Sequence, residues 1–209
     1  MNDPVSLGLH VMMGLGLAAC AGLRAFMPFF VVGMLARTGH LTLAREFHFL
    51  VTDPALMVFG IATVVEMLGD KFPVIDHALD ASASVFKPVA ATALFTSVVT
   101  DLPPLYAAIL GLMTAGSTAT VLHFKKATFR LVSSFGTFGL GNPLISLFED
   151  VLCAVGVVMS VLKPLVALIA VFVVWSLMLA LLQWGREHAT RNKLVKPRGS
   201  DEQEPLPPP

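Results

Sequence analysis

Residues 139–164 read GLGNPLISLFEDVLCAVGVVMSVLKP, an apolar run bounded by a glycine and Asn-Pro break on one side and by Lys163-Pro164 on the other. As a helix, its roughly twenty apolar residues are enough to cross a bilayer. Two adjacent carboxylates, Glu149 and Asp150, interrupt it. Asn142, Ser146, Glu149, Cys153, Gly156, Ser160 and Lys163 recur at alternating steps of four and three, so a helix gathers them on one small or polar face. Asp150 lies one residue's rotation from that face, and the other faces are Leu, Ile, Val, Phe and Met. An uncompensated carboxylate in hydrocarbon is costly, so Glu149 requires a protein partner, a water-filled cavity or a proton. The stretch predicts an all-α membrane protein with a polar interior.

Composition agrees with that reading. The chain is 56% hydrophobic and 13% charged, whereas a soluble domain carries roughly 25% charged residues. Several apolar runs approach spanning length, which predicts one integral-membrane domain over residues 1–184 and leaves no room for a separate soluble catalytic domain. A net charge of zero argues against nucleic acid as a partner. Cys20 and Cys153 are isolated in apolar runs, make neither a disulfide framework nor a zinc site, and are expected to behave as small apolar residues. Leu17-Ala18-Ala19-Cys20 has the form of a lipoprotein cleavage box. A signal peptide needs a basic n-region, however, and the residues before Cys20 include Asp3 but no Lys or Arg.

Residues 6–36 are apolar for too long to be one untilted span and too briefly to be two. Arg24 sits in the middle, flanked by Gly22 and Pro28 as break points, and a guanidinium at membrane depth needs a carboxylate, carbonyls or water. Gly14, Ala18 and Gly22 form a small-xxx-small ladder suited to close helix packing. His40 and His48 fall in a polar connection and read as solvated. Asp53-Pro54 starts a helix that runs to Gly69, with Glu66 near its end and Asp70 on the same side. Lys71, Asp76, His77 and Asp80 read as an interfacial polar turn whose acids cap the next helix, a plainer assignment than a cation site. Lys87-Pro88 is expected to open a third helix reaching Thr100, closed by the turn at Asp101-Leu-Pro-Pro104.

A fourth helix starts near Leu105 and continues into a basic, aromatic segment at 123–130 suited to the headgroup layer. The glycine-rich segment 135–141 breaks it. The opening stretch is the fifth helix and 165–184 the sixth, apolar all round and anchored by Trp184 and Arg186. Residues 185–209 are charged and end in prolines, as a disordered cytoplasmic tail would.

The two halves, 6–101 and 104–184, share a pattern. Ala21-Gly22, Asp53-Pro54 with Phe59, and Lys87-Pro88 in the first match Ala115-Gly116, Asn142-Pro143 with Phe148, and Lys163-Pro164 in the second. Three spans per copy predicts about six transmembrane helices in two inverted repeats, with broken helices near Pro28 and Asn142-Pro143. The basic residues fit a chain with both termini cytoplasmic: Lys71, Lys87, Lys125, Lys126, Arg130 and the tail inside, against Arg37, Arg45 and Lys163 outside.

Gly22-Leu-Arg-Ala-Phe-Met-Pro28, Glu66, Pro73-x-x-Asp76, Asp101-Leu-Pro-Pro104 and Gly139-Leu-Gly-Asn-Pro143 with Glu149 resemble the bacterial integral-membrane family known as domain of unknown function 4126. The resemblance extends to about Trp184 and implies a multi-pass protein of the bacterial inner membrane. It implies no activity.

The residues that point to function are therefore the intramembrane polar set Arg24, Glu66, Asp70, Asn142, Ser146, Glu149 and Asp150. They predict a small-solute or ion transporter or channel, with the carboxylates as proton or cation sites and Arg24 as their counter-charge. The alternative is a scaffold or assembly partner, bound to another membrane protein or to a second copy, in which the same charges fix helix register. No catalytic motif, metal-ligand set or cofactor signature is present, so the reading is of a non-enzyme whose partner is the lipid bilayer.

Overall fold

The computed structural model describes residues 4–69, 73–121 and 142–173, with 176, 177, 180 and 183 beyond them; side chains are described from residue 5, omitting 73–84 and 142–145. Every regular element among these residues is helical. They are α1 (Pro4–Leu23), α2 (Met27–Arg37), a 3-10 segment (Arg45–Val51), α3 (Asp53–Gly69), α4 (Pro73–Val98), α5 (Pro104–Val121), α6 (Asn142–Leu162) and α7 (Pro164–Val173). The chain divides into a unit Met1–Val171 and a unit Phe172–Pro209. In the second, the Ser176 hydroxyl donates to the Phe172 carbonyl at 2.8 Å. The expected tail lies outside the described residues.

Pro28 explains why the first apolar run is two helices. In an unbroken helix the N–H of residue 28 would serve the carbonyl of Arg24, but proline has no N–H and its ring presses on that carbonyl. The α1 ladder ends with the Arg24 N–H donating to Cys20 at 2.9 Å. Pro28 then sits in the first turn of α2, where a missing donor costs nothing.

Helix α1 has two glycine-lined faces. Against α4 it runs antiparallel: His10 meets Asp101 just past the end of α4, Gly14 meets Phe95, and the Leu23 carbonyl meets Lys87. Against α6 it is antiparallel again, with Gly16 on Ser160, Cys20 beside Cys153 and Gly156, and Arg24 on Ser146 and Asp150. The predicted face of α6 is thus the buried one, with Ser146, Glu149, Cys153 and Ser160 inside while Leu147, Phe148, Val151 and Val155 face out. The ladder of small residues on α1 does pack helices.

Helix α5 lies antiparallel on α4 through Gly111 and Gly116, both of which approach Thr92. Glycines five apart diverge by more than a third of a turn on an α-helix. A π-helical turn at Leu112–Gly116 absorbs the difference and keeps both on α4.

Helices α2 and α3 pair antiparallel, through stacked Phe29 and Phe59 rings 4.9 Å apart, Gly33 on Leu56, and Arg37 with Asp53. Beyond α2, the Ala44 N–H donates to the Ser97 carbonyl at 2.8 Å, near the end of α4 where Asp101 meets His10. Leu50, six residues on, returns to Gly33. The chain is too short between these points for α2 to run onward from α1, so α1 and α2 make a hairpin whose vertex is residues 24–26.

Three expectations change. Helices α1 and α5 both run antiparallel to α4, hence parallel to each other, and the leading helices of inverted copies cannot do that. The connection carrying Arg37 and Arg45 lies at the same end of the unit as the start of α1, rather than at the opposite end. Lys87-Pro88 does not open a helix: α4 begins at Pro73 and passes through it, so Asp76, His77 and Asp80 belong to the first turns of that helix and not to an interfacial turn. Val5–Leu23 and Pro104–Val121 are each long and apolar enough to cross a membrane, and the 3-10 segment with α3, bent by 71°, would make a third.

A methyl group added at Gly14 would lie 2.6 Å from the ring of the fully buried Phe95, whereas one at Gly8 meets nothing within 4 Å. Gly14→Ala is expected to destabilise the purified protein by about 1–3 kcal/mol, as overpacking does, and Gly8→Ala by less than ~0.5 kcal/mol. Thermal or denaturant unfolding reads the difference.

Candidate functional site

A helix end leaves carbonyls without donors, and a helix start leaves N–H groups without acceptors. At the α1–α2 break both kinds are buried or half-buried, and charged side chains from other helices reach them. Lys87 of α4, 3% exposed, donates from Nζ to the Leu23 carbonyl at 3.3 Å. Glu66 of α3 accepts the Ala25 N–H on Oε1 at 2.8 Å and the Phe26 N–H on Oε2 at 3.1 Å. A cation therefore holds the negative end of α1 and an anion the positive end of α2, the signs that helix dipoles favour.

Arg24 lies between them and is 1% exposed. Its guanidinium pairs with Asp150 at 2.6 Å, donates to Ser146 Oγ at 2.9 Å, and reaches the backbone carbonyl of Glu66 at 3.4 Å. Glu66 thus serves both sides of the vertex, its carboxylate on α2 and its carbonyl on the arginine. Glu149 is buried on the same turn of α6 as Ser146 and Asp150. Burying each ion costs several kcal/mol of hydration, which only close pairing and hydrogen bonding offset. Among the described residues the buried ionisable set is three carboxylates, Glu66, Glu149 and Asp150, against two cations, Arg24 and Lys87.

Beside the vertex, a groove of about 300 Å³ opens along α3, lined by Phe26, Val58, Ile61, Ala62 and Val65 with Glu66 as its one charged member.

Of the residues named from the sequence, Arg24, Glu66, Ser146 and Asp150 converge on the break, and Glu149 lies within a turn of them. Asn142 begins α6, and its side chain is outside the described set, as are those of Asp76, His77 and Asp80 in α4. Asp70 and Lys71 lie outside the described residues. Lys87, read from sequence as a cytoplasmic charge, is instead a member of the site. Its flanks, Val85-Phe86 before and Val89-Ala90-Ala91 after, are the signal that marks it as lying within an apolar helix.

Glu66→Ala strands one buried and one half-buried N–H group and is expected to cost about 1–3 kcal/mol for the buried one and less for the other; Glu66→Gln, which keeps an acceptor, costs less. Asp150→Ala leaves Arg24 buried without its carboxylate and is expected to cost about 3–5 kcal/mol, part of which Asp150→Ala with Arg24→Met recovers. Unfolding midpoints of the four variants test both statements.

Neither a curated protein nor a solved structure matches the chain. A family pattern does, over residues 11–184, and it takes in the hairpin and every helix that reaches its vertex. By that match the chain belongs to the family described as Domain of unknown function (DUF4126).

Proposed function

We propose that this chain is a multi-pass protein of the bacterial inner membrane that moves a proton, a small cation or an ion-coupled solute past the vertex of the α1–α2 hairpin. The observation that carries the reading is the gathering, among the described residues, of three buried carboxylates and two buried cations around a broken helix. Carboxylates in a low-dielectric interior readily take up a proton or a cation, and intramembrane carboxylates at broken helices are the means by which membrane transporters bind ions. Glu149, buried on the turn of α6 that carries Ser146 and Asp150, is the group assigned that task.

The membrane itself enters through the outward faces. Met57, Val58, Ile61, Val64 and Val65 of α3, Leu105, Ile109 and Met113 of α5, and Leu147, Phe148 and Val151 of α6 are all exposed. Charge inside and hydrocarbon outside is the reverse of what water selects, and contiguous apolar surfaces on this scale are not left bare in water. In place of six spans in inverted halves, this reading has an N-terminal hairpin that enters and leaves on one side, followed by crossing helices. The connection carrying Arg37 and Arg45 stands at the same end of the described helices as the start of α1, and both are read as lying on one side of the membrane.

A second reading has a specific observation behind it. Arg24 and Asp150 touch directly and are closed to solvent, as in a scaffold whose ions set helix register and whose outer faces bind another membrane protein or a second copy. Glu149→Gln separates the two. In proteoliposomes carrying a pH-sensitive dye and an imposed ion gradient, transport predicts flux in the wild-type protein that Glu149→Gln abolishes with folding intact. Absence of flux in both, with unchanged folding, supports the scaffold. For topology, single cysteines at Val5 and Thr38 are expected to react with the same impermeant reagent from the same side of the membrane.

A further inference from the structure

The connection between α2 and α3 carries the 3-10 helix Arg45–Val51, which the ionic site does not use. With three residues per turn, positions 44, 47 and 50 share one side, and that side is held to the protein. The Ala44 N–H donates to the Ser97 carbonyl of α4 at 2.8 Å, Phe47 packs on the core, and Leu50 is buried with its carbonyl where Gly33 leaves room. His48 donates from Nε2 to the Leu43 carbonyl at 3.1 Å, which closes the segment on itself. Arg45, Glu46, His48 and Phe49 are exposed, Phe49 by 51%. The segment meets α3 at 71°.

We infer that this 3-10 segment is a foot on the bilayer surface: it lies along the boundary between lipid headgroups and acyl chains, with the Phe49 ring in that layer and Arg45 beside lipid phosphates, and so holds the Arg24–Glu66 vertex near mid-membrane. The inference rests on the membrane reading above. Direction is the first argument: where α3 crosses the bilayer, a segment at 71° to it runs close to the membrane plane. Chemistry is the second. Charges such as Arg45 and Glu46 are costly in hydrocarbon, whereas an exposed aromatic ring among charges suits the interface. Level is the third. At 17 residues α3 already meets the lower end of the length that crosses a bilayer, so it needs no extension by the 3-10 segment. Its outward apolar face begins at Met57, and the exposed Arg37–Asp53 ion pair stands at its start. From that pair the 11 residues of α2 reach inward about 16 Å, half of a hydrocarbon core of about 30 Å. The surface contact and the buried vertex are thus one half-membrane apart.

Tryptophan depth tests the inference. The native Trp175 and Trp184 are replaced by phenylalanine, and one tryptophan is introduced by Phe49→Trp or by Ile61→Trp, an exposed position of α3 about 12 Å beyond Asp53. Each full-length protein is placed in phosphatidylcholine bilayer discs brominated either high on the acyl chain or near its end, and iodide is added to the water. Phe49→Trp is expected to lose most of its emission to bromine high on the chain, and less to iodide or to bromine near the chain end. Ile61→Trp is expected to lose most to bromine near the chain end. If Phe49→Trp is quenched by iodide alone, or most strongly by bromine near the chain end, the foot is wrong, while quenching of Ile61→Trp by lipid leaves the membrane reading standing. If Ile61→Trp responds to no brominated lipid, the membrane reading falls and the foot with it. Glu46→Trp, one turn earlier on the segment, is expected to match Phe49→Trp and decides by the same outcomes should that variant not fold.

Discussion

Pro28 cannot return a hydrogen bond to the carbonyl of Arg24, and the surroundings of the break answer that deficit. Once the ladder stops, carbonyls at the end of α1 and N–H groups at the start of α2 need partners in a place closed to water. Lys87 and Glu66 provide them from α4 and α3. Arg24, left at the vertex, then requires its own acid, and Asp150 brings α6 to the same point. A single residue without a donor thereby ties five helices together.

The packing around this point follows a different logic from that of a water-soluble core. Leu17, Ala18, Ala21, Leu94, Val98 and Val157 are buried, but among the described residues large apolar side chains are more common outside than inside. What brings the helices close is the absence of side chains at Gly14, Gly16, Gly111, Gly116 and Gly156. Close backbone approach gives dispersion contacts that side chains at those positions would prevent. Ion pairs add little net stability to such an interior, yet they penalise any register in which one partner is left alone.

The buried face of α6 was legible because helical periodicity places Ser146, Glu149, Cys153 and Ser160 together whatever surrounds them. The break near Arg24 was legible because proline chemistry is local. Periodicity says which side of a helix is buried and nothing about the direction in which the next helix runs, so the return of α2 and the common direction of α1 and α5 were hidden. Lys87 was hidden for another reason. Lys-Pro is a good local helix start, and only the contacts of α4 with α1 and α5 carry the helix through it. The partners of Glu66 were out of reach as well, since they are backbone amides made available by a break elsewhere in the chain.

The hairpin vertex also sets an order for biogenesis. Arg24 leaves the ribosome with α1, Glu66 and Lys87 follow within the next three helices, but Ser146 is 122 residues downstream and Asp150 later still. During that interval the nascent guanidinium has no carboxylate from α6, so the vertex stays incomplete until the later helix is made. Completion of the N-terminal third of the protein is therefore timed by the synthesis of its C-terminal third.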